Sequence, residues 1–95
     1  LTDRYIITSN RESGFGRYDV MLEPKDRAKD DAVILEFKVQ GKRESTLEDT
    51  VSAALRQIGE KDYQSSLLAR GIPEERIRKY GFAFCGKEVL IGTDV

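Results

Sequence analysis

The stretch Ala32-Val33-Ile34-Leu35-Glu36-Phe37-Lys38-Val39 decides how the rest of the chain is read. It reads as a buried strand with two opposite charges set into it. Residues two apart in a strand project to the same side, so Ile34, Glu36 and Lys38 share one face and Val33, Leu35, Phe37 and Val39 the other. Charges in an otherwise apolar strand cost free energy unless they pair or hold a ligand. Upstream, Gly16-Arg17-Tyr18-Asp19-Val20-Met21-Leu22 reads as a second strand with a carboxylate at its centre. There Tyr18, Val20 and Leu22 share one face and Arg17, Asp19 and Met21 the other. Aligning the apolar faces of the two strands sets Asp19 beside Glu36 and Lys38.

Working outward, Tyr5 to Asn10 is rich in β-formers and predicts a first strand, antiparallel to Arg17–Leu22. Between them, Glu12-Ser13-Gly14-Phe15-Gly16 reads as a turn, since Gly14-Phe15-Gly16 lacks the following helix and lysine of a phosphate-cradling loop. Glu23 to Asp31 is a highly charged connection, read as a solvated loop rather than a metal cluster. The third strand runs from Ala32 to about Gln40. Ser45-Thr46-Leu47-Glu48 fits a capping box, with Ser45 as the cap and Glu48 three residues on. Leu47, Val51, Ala54, Leu55 and Ile58 then recur at helical spacing and define a buried stripe. This spacing predicts a helix to about Arg70, closed by Gly71, with Pro73 beyond. Gly59 lies inside it at a cost of about 1 kcal/mol relative to alanine, and points to a close approach of helix to sheet. Pro73 to Ile77 predicts a short helical turn. Tyr80–Cys85 and Glu88–Ile91 predict two more strands joined at Gly86-Lys87. The fold class is α/β around a mixed sheet, in the order β-β-β-α-(short α)-β-β.

Composition narrows the chemistry. The 95 residues make one domain at most, 1–95, and a net charge of −1 counts against tight, independent nucleic-acid binding. No apolar run reaches the ~18–20 residues of a membrane span and no signal-peptide pattern opens the chain, so no membrane partner and a cytoplasmic location are expected. The chain starts at Leu1, almost directly in a strand, which suggests a C-terminal piece of a longer protein. The one cysteine, Cys85, excludes an intrachain disulfide and reads as a buried, inert thiol in an apolar run. There is no histidine, which excludes Ser-His-Asp and Cys-His catalysis, His-based zinc sites and imidazole general bases. Carboxylate, lysine and oxygen-ligand chemistry remains, suited to hard ions such as magnesium or manganese.

Phosphodiester cleavage needs a nucleophilic water and stabilisation of charge on the phosphorus oxygens, and one or two magnesium ions held by carboxylates supply both. Asp19 and Glu36 are the candidate ligands, with the Phe37 carbonyl as a further oxygen and Lys38 to orient the water and balance the site. Without metal the two carboxylates repel, so Asp19→Asn is expected to leave the fold intact or stabilise it. The plainer reading of Glu36 and Lys38 is an ion pair on a solvated strand face.

These features resemble the PD-(D/E)XK nuclease superfamily, which has the restriction-endonuclease-like fold. The matching parts are Asp19 on the second strand, Glu36-Phe37-Lys38 on the third, and a crossover helix followed by two strands. The resemblance implies an auxiliary active-site element on that helix, here Gln57, Lys61 and Tyr63; Gln57 and Lys61 lie four apart and share a face. Asn10 to Asp19 also looks like the branch found C-terminal to an AAA-ATPase-like domain in bacterial proteins. The resemblance implies a magnesium- or manganese-dependent nuclease acting on DNA or RNA, or an inactive interaction module serving a parent ATPase. Tyr18 stands where the superfamily name has proline. The superfamily core also begins with a helix before the first strand, and that helix is absent here. A single long helix covers only one face of the sheet, so the other is expected to expose apolar side chains and favour self-association or packing by the parent protein.

Overall fold

The computed structural model describes residues 3–12, 17–26 and 28–93. In chain order the elements are β1 (Tyr5–Glu12), β2 (Arg17–Pro24), β3 (Ala32–Val39), α1 (Leu47–Lys61), α2 (Tyr63–Ala69), a 3-10 turn (Glu74–Arg76), β4 (Ile77–Cys85) and β5 (Glu88–Thr93). The strands form one five-stranded sheet in the order β1-β2-β3-β4-β5. Only the β3–β4 pair is parallel. A parallel pair cannot be joined by a tight turn, so the chain between β3 and β4 crosses over the sheet as α1 and α2. The predicted α/β class is that observed, and the element order matches outside the crossover. The glycine turn at 13–16 lies outside the described residues. No helix among the described residues is long and apolar enough to cross a membrane.

The crossover helices cover the face of the sheet that carries the charges. Ala32, Ile34, Ile58, Leu67, Ile72 and Ile77 form the core, with Met21, Leu55 and Tyr63 packed against it. Val51 and Ala54 add to the buried stripe of α1. Each large apolar side chain buried this way contributes about 1.5–3 kcal/mol. Glu36 and Lys38, at 0% and 8% exposure, lie inside this layer. A solvated strand face is therefore excluded as their setting. The opposite face is apolar and is left open by every described element. There Phe37 packs among Tyr18, Phe82 and Phe84, with ring centroids 5.7, 4.8 and 6.2 Å away. Val39, Val89 and Ile91 are more than half exposed.

Several local expectations change. The helix predicted from Ser45 to Arg70 is two helices, broken at Asp62, whose φ of 55° is left-handed. Asp62 bears this conformation without glycine, and its carboxylate accepts the Ser65 hydroxyl at 2.8 Å. The cap is Thr46 with Asp49, one residue later than predicted: Thr46 Oγ1 accepts the Asp49 N–H at 3.2 Å. The close approach of helix to sheet sits on the strands, not at Gly59, around which an added Cβ meets nothing within 4 Å. A Cβ at Gly81 would lie 3.1 Å from the Val51 carbonyl oxygen, and one at Gly92 only 2.5 Å from Val51 Cγ1. Glu23 is not part of a solvated loop; it is the next-to-last residue of β2, is buried, and receives Arg70 from beyond α2. Cys85 is exposed, because it closes β4 at the hairpin rather than lying within the core. Gly86 supplies the positive φ of that hairpin, as predicted.

Candidate active site

The antiparallel register of β2 and β3 sets Asp19 directly opposite Glu36. Opposed residues in such a pair have Cβ atoms about 4.5–5.5 Å apart, so the two carboxyl groups are neighbours under the helices. They are almost completely enclosed, at 3% exposure for Asp19 and 0% for Glu36.

The helix layer delivers two polar groups to Asp19. Lys61 Nζ lies 2.5 Å from Oδ2, and the Tyr63 hydroxyl donates to Oδ1 at 3.0 Å. In an uninterrupted helix, residues two apart point to nearly opposite sides. The left-handed residue Asp62 between them resets the direction of the chain, so the last residue of α1 and the first of α2 converge on one carboxylate. The break in the crossover is therefore part of how the site is built. Gln57 stands one turn before Lys61 on α1 and is half-buried. Burial pushes the Tyr63 phenol up, and its hydrogen bond to Asp19 and the Asp19 charge act the same way; contact with Asn10 and the Lys61 charge oppose this without reversing it. Tyr63 thus remains a protonated donor at neutral pH.

Lys38 is engaged elsewhere than expected. Its Nζ is 2.8 Å from each carboxylate oxygen of Glu44. Asp19 pairs with Lys61 and Lys38 with Glu44, while Glu36 lies opposite Asp19 and on the same face of β3 as Lys38. Sequence reasoning missed Glu44. Its signal is faint: a glutamate in the loop after β3, followed by a threonine, Thr50, on the buried side of α1. Burial acts to push the Glu44 carboxyl up, but hydrogen bonds from Lys38, the Gly41 N–H and Thr50, together with the Lys38 charge, outweigh it. The group is held below the ordinary carboxylate range.

That direction fixes a pH dependence. A depressed carboxyl contributes stability that is fully present above the unfolded pKa of about 4.3 and is lost as pH falls through the folded value. Glu44→Gln should therefore lower stability by about 2 kcal/mol at neutral pH. The difference from the unsubstituted chain should shrink between neutral pH and a pH below the folded value. Urea midpoints at the two pH values check this; a gap that does not narrow in acid would mean that the Glu44 charge contributes nothing.

The donor set suits a hard divalent cation. Asp19 and Glu36 offer adjacent carboxylate oxygens, and the Phe37 carbonyl belongs to the same stretch of β3. Each carboxylate has roughly four acceptor positions, so Asp19 can keep Lys61 and Tyr63 and still ligate. Among the described residues no group of three or more His, Cys, Asp or Glu stands ready as a closed metal cage.

A family model described as the PD-(D/E)XK nuclease superfamily matches residues 1–94. Searches of curated proteins and of solved structures return no match. The family match runs over nearly the whole chain and agrees with the mixed five-stranded sheet and its crossover helices; the chain belongs to the PD-(D/E)XK nuclease superfamily.

Proposed function

We propose that this domain is a magnesium- or manganese-dependent nuclease that hydrolyses phosphodiester bonds of DNA, with RNA as the second candidate substrate. The observation that carries the reading is Asp19 opposite Glu36, two enclosed carboxylates on adjacent strands. Asp19, Glu36 and the Phe37 carbonyl would hold the metal, which supplies charge stabilisation and a more acidic water when bound. Lys38 directs an N–H at the attacking water or a phosphate oxygen. Lys61 and Tyr63 fix the orientation of Asp19, and Gln57, one turn before Lys61, is the further auxiliary active-site residue that the resemblance implies. The AAA-ATPase-like resemblance of residues 10–19 supports placement in a longer bacterial protein, with that ATPase domain as the partner in the same chain.

A second reading has its own support. The site is closed, with Glu36 at 0% exposure, and the net charge is −1. Both favour a nuclease-fold module that no longer cuts and serves its parent ATPase. Plasmid cleavage decides between them. The nuclease reading expects nicking with magnesium that EDTA stops and Lys38→Ala abolishes, and amide signals of residues 18–20 and 36–38 that move on titration with metal. Signals that move without any cleavage would favour the module; cleavage unaffected by Lys38→Ala would refute the assigned site.

A further inference from the structure

Glu44 lies in the loop between β3 and α1, and its carboxylate is the meeting point of three parts of the chain. Lys38 of β3 donates to both oxygens at 2.8 Å, the Gly41 N–H donates to Oε1 at 2.7 Å, and the Thr50 hydroxyl of α1 donates to Oε1 at 2.9 Å. The loop is closed a second time by its backbone: the Glu44 carbonyl accepts Gln40 Nε2 at 2.8 Å, and the Glu44 N–H donates to the Gly41 carbonyl at 3.1 Å. A Cβ at Gly41 would stand 3.4 Å from Glu44 Oε1 and 3.6 Å from Lys38 Nζ, ordinary van der Waals distances, so the turn lies beside the pair. Thr50 is fully buried, which makes its hydroxyl a fixed anchor.

We propose that Glu44 is a positioning residue for the reaction, holding the Lys38 ammonium in one place and one orientation. The inference rests on the nuclease reading given above. An ammonium has three N–H bonds. Both Glu44 oxygens lie at 2.8 Å on one side of the amine, so its position is held there and the N–H on its other side is left for a water or phosphate oxygen. A free lysine would lose about 2 kcal/mol of rotamer entropy on being fixed in this way; here Glu44 fixes it before substrate arrives. Simple charge balance would not need this geometry, since a carboxylate anywhere nearby would serve.

The test uses Glu44→Gln, with Thr50→Val as a milder variant that removes one anchor and keeps the carboxylate. The first readout is the Lys38 Hζ–Nζ correlation in a nitrogen-15 NMR spectrum. In the unsubstituted chain it should be resolved and protected from exchange; in Glu44→Gln it should merge with the solvent-exposed lysines. The second is plasmid cleavage with magnesium. Glu44→Gln should lower kcat on the order of 100-fold, the scale set by a misplacement of about 1 Å, and leave KM for DNA unchanged. Thr50→Val should show a smaller fall in the same direction, and Glu44→Gln should add nothing in a Lys38→Met background. A protected Lys38 signal that survives in Glu44→Gln, or an unchanged kcat, overturns the proposal. Should the unsubstituted chain fail to cleave, the nuclease reading falls separately, and the Lys38 signal alone decides whether Glu44 holds the amine.

Discussion

Lys61→Met should lower the free energy of unfolding by about 3 kcal/mol, the scale of breaking a buried ion pair by removing one partner. For a domain of this size that corresponds to a fall in Tm on the order of 15 °C. The Asp19 side chain is only 4% exposed and that of Lys61 15%, so removing the ammonium leaves a buried carboxylate with the Tyr63 hydroxyl as its remaining described donor. Asp19→Asn should also destabilise, because it removes the carboxylate that Lys61 Nζ meets at 2.5 Å. This reverses the expectation drawn from carboxylate repulsion alone. The double variant should cost much less than the two single costs added, since neither charge is then left alone. Metal gives a further arm. If Asp19 ligates metal as proposed, the cation would take over the role of the missing ammonium, and manganese at about ten times its dissociation constant should restore roughly 1.4 kcal/mol to Lys61→Met. Denaturant titrations of the four proteins, with and without manganese, measure all of this. A cycle that adds without coupling would show that Lys61 and Asp19 do not meet in solution, and a variant that manganese leaves unchanged would count against the metal site.

How the sequence relates to this site can be judged residue by residue. The placement of Asp19 opposite Glu36 was legible because a strand has a period of two, and two strands with alternating charged and apolar positions admit few registers. The same period shows which residues share a face but not which face is covered. Both faces of β3 are largely apolar, and only the path of the crossover decides that Ile34, Glu36 and Lys38 go under the helices while Phe37 stays outside. Lys61 and Tyr63 were expected near the site from family resemblance, yet helical geometry places them on different sides. Their convergence needs the left-handed Asp62, and aspartate, unlike glycine or proline, does not announce a break. Glu44 was invisible for a different reason. It belongs to a charged loop, and its importance comes from Thr50 and Lys38 reaching it from separate elements. The cap shifted by one residue because Ser45 and Thr46 both present a hydroxyl three residues before an acid, and sequence alone gives no preference between Glu48 and Asp49.

The open face of the sheet carries the last expectation. Soluble monomers rarely expose an apolar patch beyond about 300–600 Å². Here one face presents Leu22, Leu35, Phe37, Phe82, Val39 and Ile91, with exposures of 54% at Val39 and 55% at Ile91. A three-layer α/β sheet is stable when both faces are covered. The chain as given should therefore self-associate at micromolar concentration, and Val39→Lys with Ile91→Lys should return it to a monomer without lowering its melting temperature. Were residues ahead of β1 to form the leading helix that the family resemblance implies, that helix would be the cover. Each leucine-sized side chain it buries is worth about 1.5–3 kcal/mol, so two or three of them should raise Tm by more than about 10 °C. Tighter packing behind β2 and β3 also holds Asp19 and Glu36 in register, so cleavage should rise with stability. The comparison is between the present chain and one extended by its preceding residues, followed by sedimentation, thermal melting and plasmid cleavage with magnesium. Monomers throughout, with equal melting and equal cleavage, would show that the open face needs no cover and that this sheet is already a complete core.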